Sequence, residues 1–115
     1  MRYTRTVKQR SHTVIDRINA AQDRVIARKL RRDAGVLALA GRNLRRWMAG
    51  DGRSVRPVFL EWDRILRRLT RTEIAAFLLS DTPMARRLRQ STPFAGVLSE
   101  GERLAIRQAH EKAGA

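Results

Sequence analysis

VKQRSHTVIDRINAAQDRVIARKL, residues 7–30, repeats apolar side chains at a helical spacing. Val7, Ser11, Val14, Ile18, Ala21 and Val25 alternate steps of four and three, which places them on one face of an α-helix. Ile15, Ile26 and Leu30 widen that face, while Asp16, Arg17, Asp23, Arg24, Arg28 and Lys29 lie mostly off it. A helix of this length is expected to project in part beyond a small body, or to present a seam to a partner. Nothing in the stretch alternates with the two-residue period of a half-buried strand.

Downstream of this helix, breakers cut the chain into short pieces that also read as helices. Asp33 precedes Ala34-Gly35 and is placed to cap a second helix over about 36–48, ended by Gly50-Asp51-Gly52. Ser54 is expected to open a third, with Pro57 in its first turn and Val58, Phe59, Trp62, Ile65, Leu66 and Leu69 as its apolar stripe. Thr70-Arg71-Thr72-Glu73 has the spacing of a capping box, and so has Ser99 to Glu102. Thr82-Pro83 starts a short helix and Thr92-Pro93 makes a turn carrying Phe94. The last helix offers Leu104, Ile106 and Ala109 for burial. The expected fold is all-α, an irregular bundle of five to six helices with a long N-terminal one. Residues 1–13 read as a basic arm and 14–113 as a single helical domain. With 115 residues and 43% hydrophobic composition, one core is expected.

Charge is the strongest compositional signal. Lys and Arg total 25 against 11 Asp and Glu, a net charge of +14. Only Lys8, Lys29 and Lys112 are lysines; the rest are arginines, suited to bidentate contact with carboxylate or phosphate. The clusters Arg28-Lys29-Arg31-Arg32, Arg42-Arg45-Arg46, Arg64-Arg67-Arg68-Arg71 and Arg86-Arg87-Arg89 recur on successive helices. Such a balance attracts polyanions or an acidic protein surface. It is also what a solvated helix face in an arginine-rich chain looks like.

Catalytic chemistry finds no footing in the pattern. The two histidines, His12 and His110, stand near opposite ends; His12 has only Asp16 four residues on, His110 has no ligand type three or four residues away, and both read as surface residues. Cysteine is absent, which removes disulfides and thiolate sites and fits a reducing cytoplasm. Gly50-Asp51-Gly52 lacks the lysine and flanking strand of a phosphate loop. No cofactor, metal or membrane span is expected. A helix-turn-helix over residues 58–80 fails as well, because Glu73 to Ser80 carries no Arg, Asn or Gln to read base edges.

Residues 86–99, RRLRQSTPFAGVLS, admit two readings. In one they are a helix end, a proline turn and a cap, with Arg87 and Gln90 satisfying backbone carbonyls. In the other they form a docking ridge with Phe94 as anchor and arginines as rim. The candidate partner-binding residues are Arg86, Arg87, Arg89, Gln90 and Phe94 here, with Arg28, Arg31, Arg32, Arg42, Arg45 and Arg46 upstream.

RRLRQSTPFAGVLSEGER at 86–103 and RKLRRDAGVLALAGRNLRRW at 28–47, followed by Glu61-Trp62, resemble small helical bacterial proteins encoded beside AbiEii-type nucleotidyltransferase toxins. The resemblance covers about residues 25–106 and is most specific from Leu88 to Leu98; Gly101 stands where the pattern has proline. It implies a cytoplasmic antitoxin without an active site of its own, which neutralises a cognate nucleotidyltransferase by occluding its active site. The alternatives are a basic nucleic-acid-binding, autoregulatory protein, or a helical subunit of a ribonucleoprotein or phage-defence assembly.

Overall fold

Asp33 is where the chain first reverses. Its extended backbone (φ −137°, ψ 114°) ends one helix, and its carboxylate accepts the Gly35 N–H at 2.7 Å to start the next. The computed structural model describes the backbone of residues 2–114 and the side chains of residues 13–111. The described residues form six helices and no strand: α1 Arg2–Arg32, α2 Ala34–Gly50, α3 Pro57–Arg68, α4 Arg71–Leu78, α5 Pro83–Arg89 and α6 Glu100–Gly114. The all-α expectation holds. α1 begins at Arg2, within the stretch read from sequence as a basic arm. The side chains of Val7, Lys8, Ser11, His12 and Lys112 lie outside the described residues.

α1 is the axis on which the others pack, meeting α2, α4 and α6, while α3 packs on α2 and α5 on α4. Its seam works as the spacing predicts: Val14 and Ile18 are half-buried, Ala21, Ile26, Ala27 and Leu30 are buried, and Val25 packs on the core. Ile15 lies off that seam, 53% exposed. Two residues expected outside the core do tertiary work. Lys29 Nζ donates to Glu102 Oε1 at 2.7 Å and fastens α6 to α1, and the Asp23 carboxylate faces Arg89 of α5.

Both expected capping boxes form. The Thr70 hydroxyl accepts from Glu73 N–H and the Glu73 carboxylate from Thr70 N–H; Ser99 and Glu102 repeat the exchange. The proximity of Lys29 and the Ser99 N–H holds the Glu102 carboxyl below the usual carboxylate range. Three details differ from the sequence expectation. Ser54 does not open α3; Arg56 is the N-cap without a side-chain cap bond, and Asp51 takes over by accepting the Arg56 N–H at 3.1 Å. Gly52 makes this possible, turning the chain at φ 65°. In α6, Leu104 is 51% exposed and Ala109 is also exposed, leaving Ile106 as the residue that packs on the core. α6 meets the body along α1 alone among its major contacts, so one narrow stripe suffices.

Trp62 on α3 sits at the centre, fully buried. Its indole N–H donates to the Leu88 carbonyl of α5 at 2.9 Å, and its ring meets Phe77 of α4 and Phe94 edge-on, at 5.7 and 6.1 Å. Truncating Trp62 to alanine therefore removes packing for three segments at once. Trp62→Ala is expected to lower the unfolding free energy by about 3–5 kcal/mol, read from urea denaturation followed by circular dichroism. A loss below about 1 kcal/mol would show that the core closes without it.

Candidate functional site

The arginine clusters divide into those the fold consumes and those it leaves exposed. Arg71 donates to the Leu30 carbonyl at 3.3 Å, satisfying an orphan acceptor at the end of α1. Arg86 pairs with Asp81 at 2.6 Å, and Arg87 forms a two-pronged contact with Glu61 whose shorter arm is 2.6 Å. That contact holds the Glu61 carboxyl below its ordinary range and raises the Arg87 guanidinium. Arg89 donates to the carbonyls of Leu78 and Ser80 at the end of α4. Carbonyl satisfaction, expected of Arg87 and Gln90, thus falls to Arg89.

Phe94 is corrected more sharply. It is 2% exposed and packs against Trp62, so it anchors the chain's own core and offers no surface to a partner. The Thr92-Pro93 turn that carries it forms as expected, with Thr92 Oγ1 accepting the Phe94 N–H. Gly96, at φ 86°, returns the chain toward α6.

Of the partner-binding candidates, Arg28, Arg31, Arg32, Arg42 and Arg45 remain, beside Arg64 and Arg68 of the α3 cluster, which are exposed too. All five candidates are exposed, and none takes part in an ion pair or hydrogen bond among the described residues. Three lie in the last turns of α1 and two on α2. Arg42 and Arg45 edge an open groove of about 470 Å³ between α2 and α3, whose walls include Leu37, Leu66 and the Asp63–Arg67 ion pair.

A second groove, about 570 Å³ and also open, joins residues from two of the sequence clusters: Arg46 of α2 and Gln90 after α5. It is completed by Trp47, Asp51, Arg56, Phe59, Ser91 and Thr92. Arg46 is exposed, and its guanidinium donates to Asn43 Oδ1 at 3.1 Å. Asn43 is 5% exposed, and its Nδ2 donates to both Pro93 O and Ala95 O, at 2.9 and 2.8 Å. One buried amide therefore fixes the 91–95 turn to α2 and orients Arg46 beside it. Sequence reading singled out Arg46 and Gln90 but not Asn43, Trp47 or the Asp51–Arg56 pair. A lone polar residue among the apolar positions of α2 was the one available signal for Asn43.

Compared with protein-family models, with curated proteins and with solved structures, the chain finds no match. No helix among the described residues is long and apolar enough to cross a membrane.

The Asp23–Arg89 contact adds a titration to this frame. The Asp23 carboxylate stands 3.6 Å from Arg89 Nε, beyond a hydrogen bond, and both side chains are largely covered. Burial pushes the Asp23 carboxyl up to about 6, and Arg89 offsets only part of that. An acid whose folded pKa exceeds its unfolded one binds more protons in the folded state over the interval between them. Its contribution is most favourable while it is protonated and declines as pH rises from about 4 to about 6. Glu61, Glu73 and Glu102, all held low, contribute with the opposite sign, so the difference between proteins is the observable. Asp23→Asn should gain stability relative to the native chain across that interval, measured by urea denaturation at a series of pH values. A difference that stays flat with pH would remove Asp23 as the titrating group.

Proposed function

We propose that the chain is an antitoxin: a non-catalytic cytoplasmic protein that binds a nucleotidyltransferase-type toxin and covers its active site. The reading starts from the resemblance over residues 25–106 to proteins encoded beside such toxins. The observation that carries it further is a set of exposed arginines, Arg28, Arg31, Arg32, Arg42 and Arg45, on consecutive helices and with no ion pair or hydrogen bond among the described residues.

A folded protein that repels itself with a net charge of +14 gives up some stability for that charge. Arginines engaged in caps and ion pairs, such as Arg71 and Arg87, return part of it. These five do not, and an external anionic surface accounts for them. A nucleotidyltransferase must gather carboxylates to hold its metal ions, and such a cluster complements an arginine rim in sign and in bidentate geometry. The groove behind Arg42 and Arg45 adds apolar walls against which a partner side chain can be desolvated. The N-terminal part of α1 is proposed to lie along the toxin, with Ile15 offering apolar contact.

The test is co-expression with the product of the adjacent gene, which this reading expects to be a nucleotidyltransferase. A stable complex and relief of growth arrest are expected. The double reversal Arg42→Glu/Arg45→Glu should weaken the complex by at least about tenfold, roughly 1.4 kcal/mol, with an unchanged circular dichroism spectrum. Reversal of Arg86, already paired with Asp81, should have a smaller effect. Failure to form a complex, or a complex without rescue, overturns the antitoxin reading.

A further inference from the structure

We propose that the groove beside Arg46 is a binding site for single-stranded nucleic acid, holding one nucleotide with its phosphodiester on Arg46 and its base against Trp47.

Preorganisation is the first reason. An exposed arginine ordinarily samples many rotamers, and holding it still costs entropy. Here Asn43 Oδ1 accepts from the Arg46 Nη2 at 3.1 Å, and Asn43 is itself locked by two backbone carbonyls. The remaining N–H groups of Arg46 keep their fork for an oxyanion. Charge bookkeeping is the second reason. Asp51 and Arg56 neutralise each other across 3.2 Å, so Arg46 alone sets the groove's net charge at one positive unit. That matches the single negative charge of a phosphodiester better than the near-dianion of a terminal phosphate.

The remaining groups suit a nucleotide. The Thr92 hydroxyl oxygen accepts the Phe94 N–H, which leaves its hydrogen to donate outward. Ser91 adds a second hydroxyl. The Gln90 side chain, exposed and without a partner among the described residues, carries both a donor and an acceptor for a base edge. Trp47 is half-buried and braced against Phe59 at 5.6 Å, which gives a base a firm aromatic surface. In a duplex the base faces are already stacked, so this arrangement selects an unpaired strand. The surrounding positive field concentrates any polyanion near the surface, but only the groove distinguishes a splayed base from bare phosphate.

Trp47 also makes the site directly observable, because Trp62 is fully buried and shielded from ligand. The full chain is titrated with labelled single-stranded RNA and DNA of about 12 nucleotides, following anisotropy and tryptophan emission together. Binding with quenching of emission is expected for RNA, DNA or both, and weaker binding for duplex of equal length. Trp47→Phe should abolish the quench while retaining most of the anisotropy signal. Arg46→Gln should weaken binding about tenfold and lower the slope of log affinity on log salt by about 0.7. Arg103→Gln, on α6 and outside the groove lining, should leave the slope and the quench close to those of the native chain. Three results overturn the proposal: no binding at low salt; binding without quenching that Arg46→Gln and Arg103→Gln weaken equally; or quenching by an oligoglutamate peptide but not by a strand. None of them bears on complex formation with the toxin, so this site and the antitoxin reading stand or fall separately.

Discussion

Trp62 is the contact on which the arrangement of the short helices depends. α3, α4 and α5 have 12, 8 and 7 residues, lengths at which isolated helices are unstable in water. Each is held by what it buries, and each touches the same indole: α3 carries it, α4 presents Phe77 to its ring, and α5 accepts its N–H at the Leu88 carbonyl. The accepting carbonyl lies in the last turn of α5 and also takes the Ser91 N–H at 3.1 Å, so the indole adds a second donor to it. The indole thus fills the centre and ties α3 to the end of α5 in one interaction. Phe94 closes the remaining side, drawing the 91–95 turn inward and bringing Gln90, Ser91 and Thr92 to the edge of α2.

Much of this was legible in the sequence wherever the signal is local. The steps of four and three in α1, the two capping boxes and the Asp33 cap depend on side chains within a turn of one another, and they form as read. Errors arose where a long-range partner decides. Ser54 has the right chemistry for an N-cap, yet Asp51 reaches the Arg56 N–H first because Gly52 folds the loop back. Leu104 has the right hydrophobicity for a core, yet α6 leans on α1 over a single stripe. Phe94 illustrates the same limit. A phenylalanine in a proline turn between two arginine-bearing helices reads equally as anchor or as core, and only Trp62, far away in sequence, decides between them.

The arginines follow one physical rule that sequence spacing cannot supply. An arginine near an uncapped helix end or a facing carboxylate is taken up by the fold, as Arg71, Arg87 and Arg89 are. One whose nearest acid is already paired stays free, as Arg42 and Arg45 do beside the Asp63–Arg67 pair. Chain halves with similar numbers of basic residues therefore end up with different surfaces. Residues 51–115 contain eight of the eleven acids, and several lie within reach of an arginine; residues 1–50 contain only Asp16, Asp23 and Asp33. Among the described residues, exposed arginines without a hydrogen bond or ion pair are more numerous on the first two helices, from Arg17 to Arg45, than in the rest of the chain, where Arg53, Arg64, Arg68, Arg103 and Arg107 are of this kind.

Arg46 stands between these two populations, and Asn43 is the reason. A buried amide that failed to find partners would cost the fold about 1–3 kcal/mol; Asn43 meets three, on two sides of a turn, and in doing so restrains a guanidinium that points outward. Replacing it with leucine would keep the branched shape but would release both the 91–95 turn and Arg46. The position is therefore one where stability and surface chemistry are coupled through a single side chain. Asn43 joins the part of the molecule assembled around Trp62 to the part that carries the unspent charge, and the groove exists because the two meet at that residue.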